Sequence, residues 1–169
     1  MFESDSNNLT PTTNNSNPSA ISNMKAIILC GAGNTGKTST INYFINHHIL
    51  PNPAKFIVHY ANTTFTIIER ITDGAIIVIL PHGDYSQQIE WFFKEISKII
   101  ITKRLPNYTH IIGTSRTKGS SPEYYWNLLG NGQNIYWLGK ERSNNLPPRN
   151  EQYIFEAMAL AINDLLDKI

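Results

Sequence analysis

The sequence GAGNTGKT, residues 31–38, decides how this chain is interpreted. It follows KAIILC, residues 25–30, an apolar run that predicts a short buried strand, and it leads into STINYFINHHI, whose apolar residues recur at helical spacing. In the order strand, glycine-rich loop and helix, the loop N–H groups and the positive end of the helix dipole surround one point. An anion such as phosphate binds well there. The stretch therefore predicts a phosphate-binding loop at the end of the first strand.

The eight residues match the pattern GxxxxGK[ST] in full, with Gly31, Gly36, Lys37 and Thr38 at the fixed positions. This motif resembles that of the P-loop NTPase superfamily, and the resemblance implies a bound nucleoside triphosphate, ATP or GTP, with Mg²⁺. Lys37 is then expected to reach the β and γ phosphates. The Thr38 hydroxyl is expected to ligate Mg²⁺, because a hard oxygen donor suits a hard cation. The same resemblance implies that the phosphates also contact Gly33, Asn34, Thr35 and Ser39.

Composition limits the remaining possibilities. The chain has 169 residues, a length that favours one domain with a real hydrophobic core. A formal net charge of +1 leaves no electrostatic footprint for nucleic acid. The single cysteine, Cys30, excludes an intramolecular disulfide and is expected to be a small buried packing residue. No apolar run approaches the roughly 20 residues of a membrane helix, so a cytoplasmic protein without membrane contact is expected.

Residues 1–23 differ from the rest of the chain. They are rich in Ser, Asn and Thr, are interrupted by Pro11 and Pro18, and carry only Glu3 and Asp5 as charges. Such a segment buries too little apolar surface to offset the entropy of ordering it. We therefore expect a disordered tail at residues 1–23 and a P-loop NTPase domain at residues 24–169.

From residue 24 onward, strand and helix patterns alternate. Residues 64–71 and 75–80 read as two strands joined across Asp73 and Gly74, and an Asp-Gly pair between two such runs is a strong hairpin signal. The second run, AIIVIL, is apolar throughout and predicts a buried central strand. The expected fold is α/β, a three-layer P-loop NTPase fold with a mainly parallel sheet of about five strands and one antiparallel hairpin arm.

An acid and a cation are predicted at the same edge of this sheet. In open α/β sheets, ligands bind beyond the carboxyl ends of the strands. Asp84 follows the central strand and is the candidate Mg²⁺ ligand, although Pro81, His82 and Gly83 separate it from the strand, and a helix N-cap role is the alternative. Asp73 is a fallback acid, but the hairpin turn places it at the opposite end.

The loop after the next predicted strand, HIIGTS, carries Arg116 and Lys118. Arg116 is the candidate that stabilises charge during phosphoryl transfer, with binding of a base or second substrate as the alternative. His82 is a weaker candidate for polarising a water molecule. In the predicted helix that follows, Trp126 and its neighbours are expected to be packing or rim residues, one of which could stack on a base.

Three functions remain open from the sequence. The first is hydrolysis of a nucleoside triphosphate coupled to a protein partner, with Lys37, Asp84 and Arg116 as catalytic residues. The second is phosphoryl transfer to a small acceptor, as in nucleotide kinases, although arginine is sparse in the later loops. The third is a non-catalytic nucleotide sensor. A GTPase of the Ras type is disfavoured, since residues 116–119, RTKG, lack the Asn and Asp of its base-reading motif.

Overall fold

The computed structural model describes residues 23–130, 132–140 and 148–169. The predicted tail at residues 1–23 therefore lies outside the described residues, except for Asn23. Within them the chain forms six strands and four α-helices. A π-helical turn, Ile45–Ile49, extends the first helix, and a short 3₁₀ turn, Gly132–Asn134, precedes the last strand. The strands are β1 Lys25–Cys30, β2 Phe56–Ala61, β3 Thr66–Arg70, β4 Ala75–Leu80, β5 His110–Ser115 and β6 Ile135–Gly139. The helices are α1 Lys37–Phe44, α2 Ser86–Lys103, α3 Ser120–Leu128 and α4 Pro148–Leu166.

All six strands join one sheet in the order β2-β3-β4-β5-β1-β6. Strand β3 pairs antiparallel with both of its neighbours, whereas the β4–β5, β5–β1 and β1–β6 pairs are parallel. The predicted mainly parallel sheet with one antiparallel arm is confirmed. The expected number of about five strands is too low by one, because both edge segments, β2 and β6, pair with the sheet.

Helices cover both faces of the sheet, which gives three layers. Strand β1 illustrates the division: Ala26 and Ile28 point into one core and Ile27 and Leu29 into the other, as the two-residue period of a strand requires. Helices α2 and α3 supply the first core, and α1 and α4 supply the second. Because buried residues fill both faces, β1 and β4 read as continuous apolar runs.

The hairpin turn between β3 and β4 is also tied to the end of α4. Gly74 adopts a left-handed conformation with φ 70°, which suits glycine at a tight turn. The buried Arg70 guanidinium donates to Leu166 O and Ile169 O, carbonyls at the end of α4, and also to both carboxylate oxygens of Asp73. These hydrogen bonds from Arg70 lower the pKa of Asp73. Asp73 thus belongs to a structural ion pair at the end of β4 opposite to the segment that carries Asp84, as the hairpin predicted.

One buried hydroxyl generates a stability prediction. Tyr125 is fully buried, and within residues 23–130, 132–140 and 148–169 its hydroxyl has no hydrogen-bond partner. A buried polar atom without a partner costs roughly 1–3 kcal/mol. Tyr125→Phe should therefore raise the free energy of unfolding by about 1 kcal/mol, as measured by urea denaturation. The neighbouring Tyr124→Phe, at a partly exposed position, is the control and should change stability little. A loss of stability in Tyr125→Phe would contradict this account.

Candidate functional site

The sheet order brings three loops together at one edge. Strand β5 lies between β1 and β4 and is parallel to both. The carboxyl ends of these three strands therefore lie side by side. Gly31 follows β1, Arg116 follows β5 and Pro81 follows β4. The glycine-rich loop, the candidate arginine and the segment that carries Asp84 consequently share this edge.

The glycine-rich loop has the backbone of an anion-binding loop. Asn34 and Gly36 have positive φ angles of 57° and 78°. Left-handed residues in such a loop turn successive N–H groups toward one side, which forms a concave anion-binding surface. Helix α1 begins at Lys37 with no capping side chain and no acidic residue in its first turn. Its first N–H groups have no intrahelical partners and carry the positive end of the helix dipole.

A pocket of about 450 Å³ opens above this loop. One wall is the end of the glycine-rich loop and the start of α1, and the opposite wall is the segment between β4 and α2 together with β5. The lining residues are Asn34, Thr35, Gly36, Lys37, Thr38, Ser39, His82, Gly83, Asp84, Tyr85, Gln88 and Thr114. Of the predicted site residues, Gly31, Gly33 and Arg116 are not part of this lining.

Lys37 occupies the centre of the loop. Its side chain is 6% exposed, and its Nζ donates to Gly31 O at 3.0 Å and to Ala32 O at 2.8 Å. The same Nζ lies 3.5 Å from Asp84 Oδ1. The ammonium group is therefore held inside the curve of the loop by backbone carbonyls, while its charge faces the acid of the opposite wall.

Asp84 bridges the two candidate cations. Its other oxygen, Oδ2, lies 3.6 Å from an Arg116 guanidinium nitrogen. That guanidinium also donates to the Tyr85 hydroxyl at 3.2 Å and lies over the Tyr85 ring at 4.9 Å. Arg116 Nε is buried and has no hydrogen-bond partner among the residues that the structure describes, so the guanidinium retains donor capacity there. The structure thus places Lys37, Asp84 and Arg116 together, as the sequence predicted.

Thr38 and His82 meet across the same pocket. Thr38 Oγ1 donates to Pro81 O at 2.9 Å and lies 3.4 Å from His82 Nδ1. Because the hydroxyl uses its proton toward Pro81, its oxygen lone pairs remain available, and the Asp84 carboxylate lines the same cavity. One hydroxyl and one carboxylate are a suitable protein contribution to Mg²⁺, which in nucleotide sites takes its other ligands from phosphates and water. The donor set therefore fits the implied ion.

Two close backbone contacts fix the walls of the site. A Cβ on Gly31 would lie 2.4 Å from Lys140 O, and one on Gly83 would lie 2.0 Å from Thr114 O. Only glycine allows these approaches. Three residues separate Asp84 from the end of β4, yet Asp84 faces Lys37. The Gly83 contact explains this position, because it holds the intervening segment against β5.

Lys140 was not foreseen from the sequence. It follows β6, is 7% exposed, and donates from Nζ to Thr40 Oγ1 at 2.7 Å while lying 4.2 Å from the centre of the Phe155 ring. Burial lowers the pKa of Lys140 to about 8; Glu151 opposes this shift and Lys37 adds to it. Lys140 therefore supports α1 from beneath the glycine-rich loop. The sequence feature that could have pointed to Lys140 is its position directly after β6, at the edge of the sheet where the other site residues lie.

Tyr85 and Gln88 were likewise missed, although both line the pocket beside Asp84. Lys118, by contrast, is exposed and does not line this pocket. Outside the pocket, Glu69 Oε2 lies 2.7 Å from His59 Nε2. Arg142 and the side chain of Arg149 lie outside the described residues.

Comparison with known proteins found no match: no family model, curated protein or solved structure is significantly similar to the chain. Within the described residues, no helix combines the length and apolar character needed to cross a membrane. The same part of the chain contains no cluster of three or more His, Cys, Asp or Glu side chains arranged to hold a metal.

The close approach at Gly83 generates a prediction for the site. In Gly83→Ala the new methyl group would collide with the backbone of β5, so the segment carrying Asp84 must move. We expect a loss of about 1–3 kcal/mol in the free energy of unfolding, typical of overpacking, together with weaker nucleotide binding. The control is Gly139→Ala, since a Cβ at Gly139 meets no atom within 4 Å. Equal stability and equal nucleotide affinity in the two variants would contradict the proposed wall.

Proposed function

We propose that this chain binds a nucleoside triphosphate with Mg²⁺ in the pocket above residues 31–39 and hydrolyses its terminal phosphoanhydride bond. The observation that carries the proposal is the Lys37–Asp84–Arg116 arrangement over a glycine-rich loop with two left-handed residues. A buried lysine, a carboxylate and an arginine with spare donors are the groups that phosphoryl transfer requires.

Charge balance supports phosphate as the ligand. Lys37 and Arg116 bring two positive charges to the site against the single negative charge of Asp84, and the α1 N-terminus adds a positive dipole. A triphosphate carries several negative charges and would satisfy these groups better than Asp84 does at 3.5 and 3.6 Å. In the proposed complex, Lys37 turns from the loop carbonyls toward the β and γ phosphates, and Arg116 turns toward the γ phosphate.

The proposed reaction is an in-line displacement. A water oxygen forms a bond to the γ phosphorus while the bond from that phosphorus to the β–γ bridging oxygen breaks, and the products are the nucleoside diphosphate and phosphate. Lys37 and Arg116 stabilise the charge on the transferring group and on the leaving oxygen. His82 and Asp84, on the wall opposite the loop, are placed to orient the water and to accept its proton. Thr38 and Asp84 would hold Mg²⁺, and the ion would supply Lewis-acid neutralisation of the phosphate charge.

Release of labelled phosphate tests this proposal. With γ-labelled ATP or GTP and Mg²⁺, the wild-type chain should release free phosphate, and Lys37→Ala should not. Arg116→Ala should lower turnover by about 100-fold or more, the usual effect of removing one charge-stabilising donor. Lys118→Ala removes an exposed cation from the same loop and should leave turnover unchanged. Absence of phosphate release from the wild-type chain, or equal turnover in Arg116→Ala and Lys118→Ala, would overturn the assignment.

Asp84→Asn separates two roles of the same carboxylate. Because Asp84 pairs with both cations in the nucleotide-free site, the variant should bind ATP in the absence of Mg²⁺ as tightly as the wild type or more tightly. Addition of Mg²⁺ should improve ATP binding in the wild type but much less in the variant, since a neutral amide is the poorer ligand. Calorimetric titration with and without Mg²⁺ measures both effects. An identical Mg²⁺ effect on ATP affinity in the two proteins would remove Asp84 from the metal site.

A further inference from the structure

A second pocket lies at the same edge of the sheet, between α3 and the edge strand β6. It measures about 380 Å³ and is called here the tryptophan pocket. Two of the three tryptophans of the chain belong to it, and its lining residues are Cys30, Thr117, Pro122, Glu123, Trp126 and Trp137. None of these residues lines the pocket above the glycine-rich loop.

The two indole rings are unusually open for their size. Trp126 is 52% exposed and Trp137 is 36% exposed, although an indole ring ordinarily contributes to stability by being buried. Large aromatic surfaces gathered around one concavity are typical of a binding site. The hydrogen-bond acceptors among these side chains include the Thr117 hydroxyl and the Glu123 carboxylate, and the two indole N–H groups and the Cys30 thiol are donors, so the pocket combines flat aromatic faces with polar groups.

Residues of this pocket are neighbours in sequence of residues in the proposed phosphate site. Cys30 immediately precedes Gly31, and Thr117 immediately follows Arg116. Cys30 Sγ also contacts Arg116 O at 3.2 Å. The Arg116 N–H donates to Ser121 Oγ at 3.0 Å, which ties the arginine loop to the first turn of α3. That same turn carries Pro122 and Glu123, so one short segment borders both pockets.

We propose that the tryptophan pocket binds a nucleobase. A base has a flat π face that stacks on indole rings, an interaction worth about 1–3 kcal/mol per base. The ring and exocyclic N–H groups of a purine would donate hydrogen bonds to Glu123 and Thr117. A small ammonium ion would also suit an aromatic site with a carboxylate, but it is small for a cavity of about 380 Å³. If the base is part of the bound triphosphate, this inference rests on the proposed function. If the base belongs to a separate nucleoside acceptor, the inference requires only this pocket.

Intrinsic fluorescence tests the proposal without requiring catalysis. In a Trp91→Phe background, all tryptophan emission comes from the tryptophan pocket. Guanosine and adenosine should quench this emission in a saturable manner. Adding Trp126→Ala or Trp137→Ala should weaken binding of the labelled nucleosides in equilibrium dialysis at least fivefold, whereas the Trp91→Phe background alone should not. If Glu123 accepts a hydrogen bond from the exocyclic amino group, the pocket should bind guanosine more tightly than inosine, which lacks this group. Glu123→Gln should reduce that difference in affinity.

Cys30 provides a second readout, because it is the only cysteine and lines the pocket. Alkylation of Cys30 by a maleimide should slow when nucleoside is bound. Two arms then separate the sources of the base. If the base belongs to the triphosphate, ATP or GTP protects Cys30 much better than the nucleoside does, and Lys37→Ala removes that advantage. If the base belongs to an acceptor, nucleoside protects Cys30 equally well with a non-hydrolysable triphosphate bound.

The outcomes keep the two proposals distinct. Nucleoside binding without phosphate release supports the tryptophan pocket and defeats only the hydrolysis proposal. Quenching by tetramethylammonium and not by nucleosides would identify a cation site and overturn the nucleobase assignment. Absence of both quenching and Cys30 protection with every nucleoside and nucleotide would overturn it as well.

Discussion

The parallel pairing of β5 between β1 and β4 is the constraint on which the site depends. Residues that are far apart in sequence, Lys37, Asp84 and Arg116, meet only because these three strands end at the same height. Apolar side chains on both faces hold the strands in that register, since a slip of one residue would turn each buried side chain to the opposite face. The core therefore sets the spacing of the charges, although it contributes no functional group of its own.

Within that frame, the charged groups of the site pair with one another. Asp84 lies between two cations, Lys37 is held by loop carbonyls, and Arg116 rests on Tyr85. These contacts avoid the cost of burying an unpaired lysine. The ion-pair distances of 3.5 and 3.6 Å are nevertheless longer than those of tight charge-assisted hydrogen bonds. These longer distances are consistent with the proposal that a phosphate group takes the place of the carboxylate beside the two cations.

The sequence predicted those features that depend on neighbouring residues. The glycine-rich loop, the Asp-Gly hairpin and the apolar strands are local patterns, and the structure contains each of them as a loop, a turn or a strand. Lateral strand order depends on contacts between distant segments, so the insertion of β5 beside β1 was not derivable from spacing. For the same reason Lys140 and Trp137 escaped notice: each follows or lies in β6, and its importance arises only because β6 pairs with β1. Asp84 lies 3.5 Å from Lys37 although three residues separate it from β4. The close approach of Gly83 to the backbone of β5, which involves another strand, could not be predicted from local sequence.

Helix α4 is anchored at both of its ends by different parts of the molecule. Near its start, the Phe155 ring lies beneath Gly36 and under the ammonium group of Lys140. At its end, Arg70 binds the terminal carbonyls and joins them to the β3–β4 turn. Between these anchors the helix packs its buried residues, Ala159, Ile162 and Leu166, against the sheet. One helix therefore contacts both the glycine-rich loop and, through Arg70, the β3–β4 turn at the opposite end of the sheet. These two turns, which lie far apart in sequence, share a single support.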